Sequence, residues 1–351
     1  MSGKKINCQT VLAADALNKG SNKYDAWLQW KVGLKCNLSC AYCCNLRFQS
    51  AKISQYNFLN LVKTINSKMR RLLEIPRLGF FGLVEMFKFR FNKIFLRNNL
   101  EKFNIRAVIR TLDKTNKTFR IGFTGGEPFL ISNFIQLCAE LTKKHYIAIN
   151  TNLTTDRMVE FCEKIGPARV IGIYSSVHIK ELERLNLLDR YISNFLICKE
   201  KGFNIIAQEV GYPPLLNEVE QYKRFFRKKE IDLVFQPFIG KHAGKDYPGA
   251  YTEQEKKIFD FDMMDMGDFY QKGKLCNAGY NVGVVFLDGT VRTCFDDQEI
   301  LGNIYSKIKL KNRVGTCPSD FCSCHLKSQD PYLFEEAISK YERLDSFLRQ
   351  G

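Results

Sequence analysis

Short apolar segments alternate with segments of helical periodicity over most of this 351-residue chain. The apolar segments predict strands at residues 28–32, 118–124, 147–150, 170–174, 204–210 and 232–238. Apolar residues three or four positions apart predict helices at residues 54–73, 132–144, 156–165 and 216–228. Strands that alternate with helices in this way belong to parallel α/β units. The sequence therefore predicts an α/β fold built on six parallel strands.

Three cysteines directly follow the first predicted strand. Cys36, Cys40 and Cys43 have a C-x3-C-x2-C spacing, and the aromatic residue Tyr42 precedes the last of them. Three thiolates can hold three irons of a [4Fe-4S] cluster, which leaves the fourth iron able to bind another molecule. A zinc site completed by Cys44 or by a distant histidine is the alternative that this spacing leaves open.

A second motif follows the second predicted strand, where Gly125, Gly126, Glu127 and Pro128 form the string GGEP. In this order, the cysteine spacing with its aromatic residue and the GGEP string resemble the radical S-adenosylmethionine (SAM) superfamily. The resemblance implies a partial (β/α)6 TIM-type barrel, a [4Fe-4S] cluster whose open iron binds SAM, and a GGEP turn that holds the methionyl amine. It also implies reductive cleavage of SAM to methionine and a 5'-deoxyadenosyl radical. A zinc site explains neither the second motif nor its position, so the open cluster is favoured.

Polar residues lie at the carboxyl ends of the later strands, where barrels of this type place their chemistry. These residues are Asn150, Asn152, Ser175, His178, Gln208, Glu209 and Gln236. The resemblance implies that Asn150 or Asn152, Ser175 and the motif residue Tyr42 contact the cofactor. His178 and Glu209 are candidate catalytic residues that would serve the substrate.

Five further cysteines lie late in the chain, at Cys276, Cys294, Cys317, Cys322 and Cys324. Asp288 and Gly289 predict a tight hairpin between residues 282–287 and 290–293. The pattern formed by Cys276, a gap, and then GTVRTC from Gly289 to Cys294 resembles the twitch and SPASM subgroups of the same superfamily. The resemblance implies one auxiliary [4Fe-4S] cluster on Cys276, Cys294, Cys322 and Cys324, with Cys317 as the alternate ligand, and a zinc ribbon remains the alternative.

The predicted domains are an N-terminal leader at 1–27, the barrel at 28–255, and the auxiliary domain with a closing helix at 256–351. A basic, Phe-rich insertion is predicted within the barrel at about 76–117, in which Phe80, Val84, Phe87, Phe91 and Phe95 share one helical face. Residues 63–120 carry fifteen Lys or Arg and four acidic residues, so they hold +11 of the net charge of +16. Packing of the Phe face on the body is the favoured interpretation. Contact with an anionic membrane surface or stacking on single-stranded nucleic acid are the alternatives.

The thirteen cysteines occur in a sequence that shows no signal peptide and no apolar run of about 18 residues, so reduced thiols and a cytoplasmic location are expected. Fewer than thirty residues precede the first strand, which is too few for the leader-binding domain of many peptide-modifying relatives. We therefore expect a small anionic substrate, such as a sugar or a nucleotide-linked or lipid-linked sugar, that is dehydrogenated or epimerised. A flavodoxin or ferredoxin is the expected electron donor, peripheral membrane contact through the insertion is the second expected interaction, and nucleic acid is not expected as a partner. A peptide-modifying maturase is the alternative enzyme. An adaptor for nucleic acid or membrane with structural metal sites is the alternative from another class.

Overall fold

The computed structural model describes residues 23–43, 102–261, 272–297 and 299–320, together with Leu333 and Ala337. Several predicted features lie outside these residues. They are most of the leader, Cys44, the helix at 54–73, the Phe face of the insertion, Cys322, Cys324, and the closing helix apart from Leu333 and Ala337.

Six parallel strands form the centre of one sheet, in the same order as they occur in the sequence. They are β1 (Ala26–Lys31), β2 (Phe119–Thr124), β3 (Tyr146–Thr151), β4 (Val170–Ser176), β5 (Ile205–Gly211) and β6 (Leu233–Pro237). The predicted α/β fold with six parallel strands is confirmed, and its architecture is that of a partial TIM-type barrel.

Helices connect the strands on one face of this sheet. They are α1 (Ile105–Asp113), α2 (Phe134–Leu141), α3 (Arg157–Lys164), α4 (Ile179–Arg184), α5 (Leu188–Glu200), α6 (Val219–Arg227) and, after the last barrel strand, α7 (Glu253–Ile258). Short 3-10 turns lie at Pro128–Leu130, Pro167–Arg169 and Pro213–Glu218. The helices α4 and α5 occupy a connection for which no helix was predicted. The signal was present, because α5 buries Tyr191, Ile192, Phe195 and Cys198 at helical spacing.

The helix α1 lies within the segment at about 76–117 that was predicted to be an insertion. Val108 and Leu112 of α1 are fully buried, and Asn104 caps the helix by accepting a hydrogen bond from the Ala107 amide. α1 therefore belongs to the helical layer that covers the barrel sheet.

The remaining strands are short. They are β7 (Gly240–His242), β8 (Lys245–Tyr247), β9 (Leu275–Cys276), β10 (Val282–Val285), β11 (Thr290–Arg292), β12 (Ile300–Asn303), β13 (Lys307–Ile308) and β14 (Gly315–Thr316). The predicted late hairpin is present as β10 and β11. β10 also pairs in parallel with β1, with Val282 opposite Trp27, so β10 to β13 extend the barrel sheet beyond β1.

Alternating side chains give the barrel strands one apolar and one polar face. On β2, Phe119, Ile121 and Phe123 belong to the core under the helices, and the Phe123 ring lies 5.0 Å from the ring of Phe134 on α2. Arg120 points to the other face, where its guanidinium lies over the Trp27 ring of β1. We call this second face, which is turned away from the helices, the inner face. None of the described helices is long and apolar enough to cross a membrane.

Candidate active site

The three-cysteine motif lies in the loop after β1, and we call residues 33–43 the cluster loop. Backbone hydrogen bonds join this loop to the GGEP turn after β2: Gly126 N donates to Gly33 O over 2.8 Å and Glu127 N donates to Lys35 O over 2.9 Å. A Cβ atom on Gly126 would overlap Lys35 O, and Gly125 has a φ of 125°. The two glycines are thus needed because the two loops approach so closely.

Glu127 of the GGEP turn is buried, with 3% of its surface exposed. Its carboxylate accepts hydrogen bonds from Thr151 Oγ1 at 2.8 Å, from the Asn152 amide at 2.7 Å and from the Phe129 amide at 3.1 Å. Burial raises the pKa of Glu127 to about 7, although these three hydrogen bonds oppose the shift. The carboxylate therefore joins the GGEP turn to the carboxyl end of β3.

Asn152 continues this connection to the cysteines. Its Nδ2 donates to Asn37 Oδ1 over 2.9 Å and to Cys36 Sγ over 3.6 Å. Its Oδ1 accepts from Thr154 Oγ1 at 2.6 Å, which fixes the orientation of the amide. The structure thus links the two sequence motifs through Asn152, a residue that was predicted to contact the cofactor.

Tyr42 is held by Glu209 of β5 and by His178, which follows β4. Its hydroxyl donates to Glu209 Oε1 over 2.8 Å and lies 3.2 Å from His178 Nδ1. Glu209 is 1% exposed and also accepts from the Ile179 and Val210 amides, each at 2.7 Å. Both Glu209 and His178, which were predicted to serve the substrate, are therefore directed at the cluster loop.

Burial shifts the pKa values of Tyr42, His178 and Glu209. It raises the pKa of the Glu209 carboxyl to about 7 and raises the pKa of the Tyr42 phenol. His178 lies at the start of α4 with a φ of 47°, and burial of its ring lowers its pKa to about 4. The imidazole is accordingly neutral at pH 7.

The three motif cysteines are free thiols with different exposure: Cys36 is exposed, Cys43 is half-buried and Cys40 is buried. Burial raises the pKa of Cys40, and the neighbouring charges of Cys36 and Cys43 raise it further. Ionisation of all three together requires a positive centre, which is what the iron of a cluster supplies. The donor set therefore fits a cluster held by three thiolates.

Within the described ranges, no three His, Cys, Asp or Glu side chains are grouped closely enough to hold a single metal ion. A cubane cluster takes one thiolate per iron, so its ligands do not share one ion.

Asn150 and Ser175 were both predicted to contact the cofactor. In the structure their side chains lie on opposite faces of the sheet. Asn150 lies on the inner face, where its Nδ2 donates to Phe123 O over 3.3 Å. Ser175 lies on the helix side, fully buried, with its Oγ 2.7 Å from Tyr191 Oη and 2.8 Å from Ile206 O. The side chain of Ser175 is therefore directed away from the inner face, whereas the next residue, Ser176, faces inward. The alternation of side chains along β4 is the signal that could have identified it.

Polar and positively charged residues line the inner face of β1 to β6. They are Gln29, Lys31, Arg120, Thr124, Asn150, Tyr174, Ser176, Gln208 and Gln236. Arg120 lies deep in the barrel, with its Nη2 donating to Tyr174 Oη over 3.3 Å. Among the inward positions of these six strands, all of which are described, there is no Asp or Glu.

Cys294, one of the late cysteines, lies at the other end of the sheet. Cys294 packs beside Ala278, Trp27 and Val282, at the amino ends of β1 and β10. Five residues of extended chain, roughly 16 Å at 3.3 Å per residue, separate Trp27 from Val32 at the start of the cluster loop. Cys294 therefore lies away from the end of the barrel that carries the cluster loop.

Cys317, the predicted alternate ligand, lies beside the strand that carries Cys276. β9 and β14 are paired with Cys276 opposite Gly315, and Cys317 follows β14 with its amide donating to Lys274 O over 2.9 Å. The structure thus brings Cys317 beside the strand that carries Cys276. Cys322 and Cys324 lie outside the described residues.

A scan against protein-family models finds no match, and a search of curated proteins finds none either. Similar solved structures include native anSMEcpe with bound AdoMet, at 17% identity and a TM-score of 0.48, covering 89% of this chain and 82% of that one. SuiB of Streptococcus suis bound to S-adenosylmethionine has 14% identity and a TM-score of 0.45, with 82% and 62% covered. SuiB bound to its precursor peptide SuiA has 15% identity and a TM-score of 0.46, with 85% and 66% covered. At identities and TM-scores this low, no residue role, substrate or partner of these proteins can be assigned to this chain.

The partial barrel and the contact between the cysteine loop and the GGEP turn are the features that the sequence resemblance implied. The sheet of six parallel strands and the contact between the cysteine loop and the GGEP turn are compatible with the radical SAM enzymes that these motifs resemble. The cofactors of that class are SAM and a [4Fe-4S] cluster.

Proposed function

We propose that this chain reductively cleaves SAM and abstracts a hydrogen atom from an organic substrate at the carboxyl end of the barrel. The observation that carries the proposal is the pair of backbone hydrogen bonds that join the cluster loop to the GGEP turn. Cys36, Cys40 and Cys43 would hold the cluster. When bound, the cluster supplies the electron that converts SAM to methionine and the 5'-deoxyadenosyl radical.

The residues of the chain would position these groups. Gly33, Lys35 and Gly126 fix the distance between the cysteine loop and the turn that would hold the methionyl group. Asn150 and Ser176 present hydrogen-bonding groups on the inner face, which suits the ribose of the cofactor or a polar substrate. A fixed arrangement of this kind lowers the entropic cost of bringing radical and substrate together.

For the substrate, we propose a small anionic molecule such as a sugar, or a nucleotide-linked or lipid-linked sugar, that is dehydrogenated or epimerised. The support is the charge of the inner face, where Lys31 and Arg120 occur and where the inward positions of the six described strands carry no carboxylate. A cationic interior attracts an anion and repels a cation. Amide and hydroxyl groups at Asn150, Ser176 and Gln208 match the hydroxyls of a sugar.

The proposed partners follow from this chemistry. A flavodoxin or ferredoxin would supply the electron, because reductive cleavage of SAM consumes one electron in each turnover. Contact of the Phe-rich segment with an anionic membrane surface stays a prediction, since residues 76–101 lie outside the described residues.

The test is anaerobic reconstitution with iron and sulfide, followed by reduction in the presence of SAM. We expect 5'-deoxyadenosine by mass spectrometry from the wild type and none from Cys36→Ala, whereas Cys138→Ala, a buried cysteine on α2, should retain activity. No 5'-deoxyadenosine after full iron loading would contradict the enzyme and favour an adaptor. With substrates deuterated at carbon, transfer of the label from a sugar nucleotide supports the substrate proposal, and transfer from a peptide alone replaces it with a peptide-modifying maturase.

A further inference from the structure

We infer that Glu209 is a positioning residue for the iron–sulfur cluster, acting through Tyr42 and His178 to fix the part of the cluster loop that carries Cys40 and Cys43. We call Tyr42, His178 and Glu209 the Tyr42 clamp. The inference deepens the proposed function, because it rests on a cluster held by these cysteines. It assigns Glu209 and His178 to the loop and away from the substrate.

The carboxylate of Glu209 joins three elements of the fold at one point. Its Oε1 accepts from Tyr42 Oη at 2.8 Å and from the Val210 amide at 2.7 Å, and its Oε2 accepts from the Ile179 amide at 2.7 Å. The carboxyl end of β5, the first residue of α4 and the cluster loop are thereby tied together. Tyr42 and Glu209 are 167 positions apart in the sequence, so this bond holds the loop to a distant part of the barrel.

The donors and acceptors around the Tyr42 hydroxyl determine how His178 takes part in the Tyr42 clamp. The Tyr42 hydroxyl has one proton, which it donates to the carboxylate, so its oxygen accepts from His178 Nδ1–H at 3.2 Å. This assigns the proton of the neutral imidazole to Nδ1. The rings of His178 and Tyr212 lie 5.6 Å and 5.2 Å from the Tyr42 ring, so two aromatic neighbours also confine it.

The buried carboxyl group of Glu209 argues that the Tyr42 clamp does more than pack the core. Glu209 is 1% exposed, and within the described ranges it forms no ion pair with Lys or Arg. Burial of a carboxyl group in this way costs stability unless hydrogen bonds compensate, and an apolar side chain would fill the same volume without that cost. A group that accepts three directed hydrogen bonds instead defines the position of each donor.

Several side-chain hydrogen bonds attach the described cluster loop to the barrel, and the clamp is one of these attachments. Asn152 holds the Cys36 end, and Glu181 Oε2 accepts from the Ser39 amide at 2.9 Å in the middle. Tyr42 is the attachment between Cys40 and Cys43, whose backbones are also joined by a hydrogen bond from Cys43 N to Cys40 O at 3.1 Å. Loss of the clamp should therefore loosen residues 40–43 while the Cys36 end stays attached.

The test uses full-length Tyr42→Phe, Glu209→Gln and Glu209→Ala, with Tyr191→Phe as the matched control. Tyr191 is also a buried tyrosine whose hydroxyl is hydrogen-bonded, to Ser175 on the helix side of the sheet. In the protein without cluster, we expect amide exchange in a peptide spanning 38–44 to become about tenfold faster in Tyr42→Phe and Glu209→Ala, since the hydrogen bond that holds Tyr42 to the buried carboxyl group is lost. Glu209→Gln should lie between, because its carbonyl can still accept from Tyr42 while its amide faces the Ile179 N–H. Tyr191→Phe should leave this peptide unchanged.

A second readout uses the reconstituted protein. The electron paramagnetic resonance spectrum of the reduced cluster should change on addition of SAM differently in Tyr42→Phe than in wild type and Tyr191→Phe. Exchange in 38–44 that matches wild type in Tyr42→Phe would overturn the inference, and so would an equal rise in Tyr191→Phe. Tyr42→Phe keeps the ring and decides the matter even if Glu209→Ala does not fold. Failure of the wild type to produce 5'-deoxyadenosine would contradict the proposed function alone, because the exchange experiment needs no cluster.

Discussion

The side-chain amide of Asn152 donates a hydrogen bond to Sγ of Cys36 over 3.6 Å. The backbone amide of the same residue donates to Glu127 at 2.7 Å, so one asparagine connects a cluster cysteine to the acid of the GGEP turn. Cys36 and Asn152 are 116 positions apart. The two halves of the site therefore depend on each other for their positions.

We expect Asn152→Ala to shift the midpoint potential of the cluster to more negative values. An N–H donor at the sulfur stabilises the more negative, reduced cluster, and its loss should cost about 1.5 kcal/mol, or on the order of tens of mV for one electron. A redox titration followed by electron paramagnetic resonance measures this. Asn150→Ala is the control, since its amide donates to Phe123 O. Equal potentials in wild type and Asn152→Ala would show that the contact does not tune the cluster.

Gly126→Ala should displace the cluster loop. Its Cβ would overlap Lys35 O, a backbone atom that cannot move without shifting the loop, so we expect a loss of about 2 kcal/mol in the free energy of unfolding together with weaker iron binding. Gly166→Ala is a matched control, because no atom lies within 4 Å of the added Cβ and φ is −77°. Urea unfolding and iron analysis measure both variants. A Gly126→Ala protein as stable and as iron-rich as Gly166→Ala would contradict the close approach.

His145 should make the protein sensitive to acid. It is 1% exposed, its Nδ1 accepts from the Phe119 amide at 3.2 Å, and burial lowers its pKa to about 4 from an ordinary value near 6.5. Between pH 6.5 and 4 the unfolded chain gains a proton that the folded one does not, so this residue's contribution to stability is present above pH 6.5 and falls by at most about 3 kcal/mol below it.

The variant His145→Gln isolates this contribution. It keeps an acceptor for Phe119 and does not titrate, so its stability relative to wild type should rise as the pH falls from 7 to 5. The buried carboxyls Glu127 and Glu209 act in the opposite direction, but both proteins share them and the difference removes them. Urea unfolding at the two pH values is the measurement, and a difference that does not vary with pH would refute the assignment.

Cys162 and Cys198 should form a disulfide under mild oxidation. Their Sγ atoms lie 3.6 Å apart between α3 and α5, and the hydrogen bond from the Cys198 thiol lowers the pKa of Cys162. A thiol-oxidising reagent would remove two electrons and two protons as the sulfurs close to about 2.05 Å. Mass spectrometry of the digested protein should show one peptide pair joined at these residues. Recovery of both as free thiols, like the isolated Cys138, would contradict this.

Cys317→Ala should remove the auxiliary cluster. Because Cys317 lies beside the strand of Cys276, we expect reconstituted protein to fall from about eight irons to about four, with 5'-deoxyadenosine formation from SAM still detectable. Cys138→Ala should keep about eight. Eight irons in Cys317→Ala would leave Cys276, Cys294, Cys322 and Cys324 as the ligand set.

Most of the barrel was predictable from local pattern. The strand expected at 118–124 is Phe119–Thr124, and the one expected at 170–174 is Val170–Ser176. The connection with α4 and α5 was missed, although its apolar residues recur at helical spacing. Strands and motifs can be predicted from the sequence because a strand's periodicity and a motif's residue types are both properties of neighbouring residues.

The sequence by itself determined the cysteine loop, the GGEP turn and the order of strands that brings them together. Only the tertiary structure decided that Glu209 and His178 point toward the cluster loop and that Cys317 lies beside the strand of Cys276. The physical reason is that these placements depend on register and on contacts between residues distant in the sequence, such as Tyr42 with Glu209, which are 167 positions apart. No local pattern of side chains encodes which distant donor a buried carboxylate will meet.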